Sequence, residues 1–128
     1  IKDLSENLLD GKTPELISVD VSFISLEKVL PYTVPFMSEK TDLVCLFKPQ
    51  FEVGKTNKGI VRREKEMVSA LKKFILFLPG VGLCVKGLDF SPIKGGDGNT
   101  EFLLYLKHGG DSSPFDIEKT VAEAVAGR

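Results

Sequence analysis

Three charged residues lie where apolar segments of the chain begin or end. Lys48 directly follows the apolar run 43–47, Asp20 falls toward the end of the run 16–21, and Glu101 opens the run 101–108. Ligands of open α/β sheets bind just beyond the carboxyl ends of the parallel strands, so a lysine there is placed to do chemistry. Each residue alone is typical of a surface charge or a rim ion pair. Their joint placement at one edge of a sheet favours a site.

The strand that would carry Lys48 is the most distinctive segment. Its run 43–47 does not alternate with polar residues, which predicts a strand buried on both faces. Pro49 has no backbone N–H and favours leaving the strand directly after Lys48. Residues 49–62 are then predicted to form a loop, of a length typical of functional loops.

The remaining patterns predict the order strand, helix, strand, helix, strand, strand, helix. The predicted strands cover residues 16–21, 42–47, 83–88 and 101–108. The predicted helices begin at Leu26 behind the N-cap Ser25, span residues 63–78, and follow the segment 113–116, which resembles a capping box with Pro114 at the first helical position.

These elements predict an α/β fold with two parallel strands, an antiparallel hairpin and flanking helices. The helix between the first two strands makes them parallel, and the short link 91–100 favours an antiparallel pair. The strand 16–21 looks like a central strand of a sheet, yet no other strand predicted in this chain would pair with its second edge. We therefore expect an N-terminal half of the sheet to be missing, and the exposed edge could pair with a second copy.

Composition describes one soluble domain and excludes several function classes. The chain has 128 residues, 42% hydrophobic and 27% charged, with a net charge of −1, so nucleic-acid binding would require a local patch. The apolar window 74–78 is far shorter than the ~20 residues that span a bilayer, and no signal peptide is visible. Cys45 and Cys84 are expected to be buried, reduced thiols, which suits the cytoplasm. His108 is interpreted as a strand-end residue, and no metal site is visible.

One segment is locally basic. The cations that follow the second strand are Lys55, Lys58, Arg62, Arg63 and Lys65. Composition alone leaves a solvated loop and a phosphate-binding segment equally open, and the neighbouring site favours phosphate contact. Phe51 could stack on a base or anchor the loop.

Four short motifs point to a known family. They are DVSFISL at residues 20–26, KPQFEVG at 48–54, KGIVR at 58–62 and GNTEFL at 98–103. Together they resemble the TlyA (haemolysin A) family of FtsJ-like ribosomal RNA 2′-O-methyltransferases, which use S-adenosylmethionine. The motifs occur in the family's order over residues 16–106, so the resemblance covers most of the chain.

The resemblance implies a set of site residues and a partial domain. Enzymes of this type use a lysine-aspartate-lysine-glutamate tetrad, and Asp20, Lys48 and Glu101 match its last three members, with Asp20 also binding the cofactor. The first lysine, the glycine-rich cofactor loop and the S4-like RNA-binding domain have no counterpart here. Residues 1–128 would thus be the C-terminal half of a Rossmann-like methyltransferase sheet, not active alone, with RNA contacts from Lys55, Lys58, Arg62 and Arg63.

The chemistry of ribose methylation agrees with this assignment. A ribose hydroxyl is a poor nucleophile, so its methylation needs a base that removes the proton as the methyl group arrives. A lysine serves as that base only where burial or nearby positive charge lowers its pKa. The prediction is Lys48 as general base, with Asp20 and Glu101 orienting it.

Two other function classes remain open. A membrane-active haemolysin is disfavoured by the lack of a spanning or strongly amphipathic basic segment. A non-catalytic α/β module that binds RNA or a protein is distinguished from an enzyme by whether the complete protein binds S-adenosylmethionine.

Overall fold

The computed structural model describes residues 13–52, 63–94 and 98–126 of the chain. The strands are β1 (Leu16–Val19), β2 (Asp42–Phe47), β3 (Leu83–Phe90) and β4 (Phe102–His108). The helices are α1 (Leu26–Thr33), α2 (Pro49–Glu52), α3 (Glu64–Phe77) and α4 (Ile117–Val125). Short 3-10 turns extend α1 over Val34–Phe36 and α3 over Leu78–Val81.

The four strands form one mixed sheet in the order β1-β2-β4-β3. β1 runs parallel to β2, while β4 runs antiparallel to both β2 and β3. The predicted α/β class, with two parallel strands, an antiparallel hairpin and flanking helices, is confirmed. Within the described ranges β1 is an edge strand of this sheet. That the sheet is half of a larger one stays a prediction.

The core lies against one face of the sheet. Leu43, Cys45 and Phe47 of β2 are completely buried, whereas Val44 and Leu46 between them are only half-buried. The buried residues of α1, α3 and α4 join the buried strand residues in a single cluster. The prediction that β2 is buried on both faces is therefore wrong, because the described helices cover only one of them. The other face exposes Leu16 and Tyr105.

Several strand boundaries differ from the predicted ones. β1 ends at Val19, two residues early, and the chain then bends over residues 22–24, with a left-handed conformation at Phe23. β3 continues to Phe90, past an irregularity between Val85 and Gly87.

One prediction about the helix ends is confirmed, and two others differ from the structure. Ser25 caps α1 as predicted, since its hydroxyl accepts the Glu27 N–H at 3.1 Å. At α4 the N-cap is Asp116, whose carboxylate accepts the Lys119 N–H at 3.0 Å, so Pro114 precedes the helix instead of opening it. The predicted loop 49–62 begins with the helical turn α2, because proline suits a first helical position, and residues 53–62 lie outside the described ranges.

Native Cys45 is expected to resist alkylation. Its side chain is completely buried, and burial, followed by the nearby charge of Glu52, raises the pKa of the thiol to about 12. Because the thiolate is the reactive form, iodoacetamide at pH 8 should label native Cys45 on the order of 10³-fold more slowly than the unfolded chain. Mass spectrometry of native and urea-unfolded samples measures this. Equal labelling rates would show that the thiol is accessible.

Candidate active site

The ends of three strands meet at one rim of the sheet. Phe47 pairs with Phe102 across β2 and β4, so Lys48, which follows β2, and Glu101, which precedes β4, lie at the same end of that pair. Val19 pairs with Cys45 in the parallel ladder, and Asp20 follows Val19 toward the same end. The structure thus brings the three predicted residues to one rim, as their positions in the sequence predict.

Lys48 and Asp20 are in direct contact. The Lys48 Nζ lies 2.6 Å from the Asp20 Oδ1 and donates a hydrogen bond of 3.1 Å to the Ser22 hydroxyl. The Lys48 side chain is only 12% exposed, while that of Asp20 is 65% exposed. The amine is therefore held by the β1–α1 loop, and the carboxylate beside it remains open to a ligand.

Glu101 occupies the buried side of this rim. Its residue is 6% exposed, and its Oε2 accepts a hydrogen bond of 3.3 Å from the Gln50 amide. Gln50 lies in α2, two residues after Lys48, so the turn that begins at Pro49 places a partner for Glu101 beside the lysine. The sequence motif contains Gln50, but no local pattern indicates its contact with a residue 51 positions away.

An aromatic contact joins the β1–α1 loop to the helical turn α2, which follows β2. The Phe23 and Phe51 rings lie 4.9 Å apart between centroids. Phe23 is 89% exposed and has a φ of 66°, a conformation that bulky side chains rarely adopt. Phe51 is half-buried beneath it, which fits a loop anchor and leaves the Phe23 ring facing solvent.

The carboxylate of Glu52, the last residue of α2, makes a further contact between these two segments. Glu52 accepts a hydrogen bond of 2.7 Å from the Ser25 hydroxyl and one of 2.8 Å from the Leu26 N–H, at the start of α1. Burial raises the pKa of the Glu52 carboxyl, and the hydrogen bonds from Leu26 and Ser25 oppose that rise. The sequence predicts Ser25 only as the N-cap of its own helix. Its second partner is 27 residues away, which is beyond any local signal.

The structure describes one of the four predicted RNA-binding residues. Lys55, Lys58 and Arg62 lie outside the described ranges, whereas Arg63 is exposed at the N-cap position of α3. His108 is the last residue of β4, as interpreted from the sequence. Among residues 13–52, 63–94 and 98–126, no cluster of three or more histidine, cysteine, aspartate or glutamate side chains could ligate a metal ion. The helices in these same ranges include none that is long and apolar enough to cross a membrane.

Several curated proteins similar to this chain are named as rRNA methyltransferases. The chain is 48% identical over 101 residues to the Bacillus subtilis protein named "Putative rRNA methyltransferase YqxC", a match that covers 77% of the chain and 36% of the relative. It is 40% identical over 95 residues to the Campylobacter jejuni 23S rRNA (cytidine-2′-O)-methyltransferase TlyA, covering 71% of the chain and 37% of the relative. No protein-family model matches the chain.

A solved structure shares the fold. The chain matches the "Putative hemolysin from Streptococcus thermophilus" with a TM-score of 0.89 and 38% identity, over 96% of the chain and 46% of that protein. The chain therefore spans about a third to a half of the length of the proteins it matches.

Proposed function

Because the chain belongs to the TlyA family, we propose that it is part of an RNA methyltransferase that transfers a methyl group from S-adenosylmethionine to a ribose 2′-hydroxyl. Ribosomal RNA is the proposed substrate, since two of the relatives are named for it. The proposed place of action is the cytoplasm. The residues of this chain would form one side of the active site, and the rest of the complete protein would supply the other side.

The observation that carries this proposal is the Lys48–Asp20 ion pair of 2.6 Å at the carboxyl end of two parallel strands. A buried second carboxylate, Glu101, lies at the same rim. Isolated surface ion pairs are common and mean little. This one involves a largely buried lysine at the position where open α/β sheets bind their ligands.

In the proposed mechanism, the Lys48 ammonium first gives a proton to solvent, and its Nζ then accepts the proton of the ribose hydroxyl. Asp20 and Ser22 hold the Nζ in place, and Glu101 orients the amine or the hydroxyl from the buried side. Bound S-adenosylmethionine would supply a methyl group whose leaving group is a neutral thioether, so holding the ribose hydroxyl in line with that methyl group would supply much of the rate enhancement.

The chemistry of the rim fits the proposed cofactor. S-adenosylmethionine supplies an electrophilic methyl group on a positively charged sulfur and also carries an ammonium group. The Asp20 carboxylate, 65% exposed, is accessible to such a cation. We assign Asp20 as the cofactor-binding residue of this chain. These 128 residues alone are expected to be inactive.

RNA contacts are proposed for Lys55, Lys58, Arg62 and Arg63, which follow the rim in sequence. Phosphates are bound by such cations without regard to base sequence. The exposed Phe23 ring, supported by Phe51, offers a surface on which a base could stack. The edge strand β1 could pair with the rest of the complete protein or with a second copy.

A methyl-transfer assay tests the proposal. The complete protein is incubated with ribosomal RNA and S-adenosylmethionine labelled on its methyl group, and digested nucleosides are analysed for 2′-O-methylation. We expect label on a ribose oxygen and cofactor binding by calorimetry. Failure of the complete protein to bind the cofactor would favour a non-catalytic module. Leakage from liposomes without methyl transfer would favour a haemolysin, the name of a Brachyspira hyodysenteriae relative 36% identical over 112 residues.

A further inference from the structure

The β1–α1 loop, residues 20–25, is attached to the segment that follows β2 by three successive contacts. Nearest the sheet, Lys48 binds Asp20 and Ser22. Next, the Phe51 ring packs on Phe23. Farthest out, Glu52 binds Ser25 and Leu26. The contacts therefore follow the same order along both segments, and Glu52 makes the last of them.

The Glu52 carboxylate is fully engaged in the outermost of these contacts. Both of its carboxylate oxygens are used, at 2.7 Å to the Ser25 hydroxyl and 2.8 Å to the Leu26 N–H. Hydrogen bonds to a charged acceptor of this length are about twice as strong as neutral ones. The Leu26 N–H belongs to the first turn of α1, where backbone donors otherwise lack partners. Glu52 thus caps a helix that lies 26 residues before it.

The loop that Glu52 attaches is under local constraint. At one end it continues from β1, which is hydrogen-bonded to β2. In its middle, Phe23 has a φ of 66°, which is unfavourable for a non-glycine residue and persists only when surrounding contacts enforce it. At the other end, the Ser25 and Leu26 contacts with Glu52 hold the loop where it enters α1. Without them, that end would be unattached, and the Lys48 and Phe51 contacts alone would hold the loop.

We propose that Glu52 is a positioning residue for the methyl-transfer reaction, which holds Asp20 against Lys48 by attaching the far end of the Asp20 loop. The proposal rests on the proposed function, since Asp20 and Lys48 matter for catalysis only if that function holds. Glu52 does not touch the reacting atoms. It acts through Ser25 and Leu26, and its effect should therefore appear in the rate of the chemical step more than in substrate affinity.

The test compares Glu52→Ala, Glu52→Gln and Glu27→Gln in the complete protein. Glu52→Ala should lower kcat by about 10- to 100-fold with KM changed much less, because misplacement of reacting groups by about 1 Å costs rates of this order. Glu52→Gln should restore most of kcat, since the amide can still accept from Leu26 and donate to Ser25. Glu27→Gln is the matched control, because it removes an acidic charge from the first turn of the same helix and breaks neither contact.

Two further readouts separate positioning from a loss of folded protein. Hydrogen exchange of the Leu26 amide should accelerate in Glu52→Ala and not in Glu27→Gln. In a double-mutant cycle, Ser25→Ala combined with Glu52→Ala should lower kcat no further than the worse single variant, because both remove the same attachment.

A kcat within twofold of wild type in Glu52→Ala, together with accelerated Leu26 exchange, would overturn the positioning role. So would a loss of activity that matches the loss of folded protein by circular dichroism, or an equal loss in Glu27→Gln. Absence of methyl transfer by the wild-type protein would be a different failure, since it refutes the proposed function and removes the positioning role with it.

Discussion

Replacing Lys48 with alanine in the complete protein is expected to lower the rate of methyl transfer by roughly 10²- to 10⁴-fold, the usual contribution of a general base. Cofactor affinity should change little, because the proposed cofactor contact belongs to Asp20. The lost amine would leave the ribose hydroxyl without a proton acceptor at the rim where Lys48 meets Asp20 at 2.6 Å. Rates with labelled S-adenosylmethionine and calorimetric affinities measure the two effects separately.

Two other variants make this result specific. Lys48→Met keeps the largely buried aliphatic stem and removes only the amine, so it should be as inactive as Lys48→Ala while retaining more stability. Lys72→Ala is the control, since Lys72 forms an exposed ion pair with Glu118 far along the chain and should keep full activity. Full activity in either Lys48 variant would refute its role as the base.

The positions of the strand-end residues could be predicted from the sequence because strand geometry is regular. Pro49 marks the exit from β2, and the helix α3 between β2 and β3 makes those two strands parallel. β4 then returns from β3 after a short link, so it begins at the edge where β2 and β3 end. These rules together bring Lys48 and Glu101 to the same rim. The parallel pairing of β1 with β2 then brings Asp20 there as well.

The contacts around these residues could not be predicted, because they join loops that are distant in sequence. The Ser25–Glu52 and Gln50–Glu101 hydrogen bonds span 27 and 51 residues, and no local pattern carries such pairings. The positive φ of Phe23 runs against the preference of its residue type, so tertiary contacts must impose it.

The sequence also failed to predict that β2 is buried on one face only, and the reason is different. Val44 and Leu46 are as apolar as the buried residues that alternate with them along β2. An uninterrupted apolar run of this kind is typical of a strand that is covered on both faces. In the described residues only one face is covered, and Val44 and Leu46 remain half-buried. Their apolar character is consistent with a cover supplied by the rest of the complete protein, as the proposed half-sheet requires.

Removing the basic segment is expected to weaken RNA binding strongly. Replacing Lys55, Lys58, Arg62 and Arg63 with alanine removes four cations that follow the proposed active-site residues in sequence. If all four contact phosphates, affinity should fall by roughly 10²- to 10³-fold at 0.1 M salt, and the slope of log affinity against log salt should lose about 0.7–0.9 for each contact. The rate at saturating RNA should change much less, because these residues are not assigned to the chemical step.

Titration of labelled ribosomal RNA at several salt concentrations measures both affinity and slope. The matched control replaces four exposed lysines elsewhere, Lys28, Lys40, Lys72 and Lys119, with alanine. Because both variants lose four positive charges, they share any effect of net charge on long-range attraction. A steeper loss of affinity and slope in the first variant therefore identifies the basic segment as a phosphate-binding surface, whereas equal losses would show that overall charge alone controls the interaction.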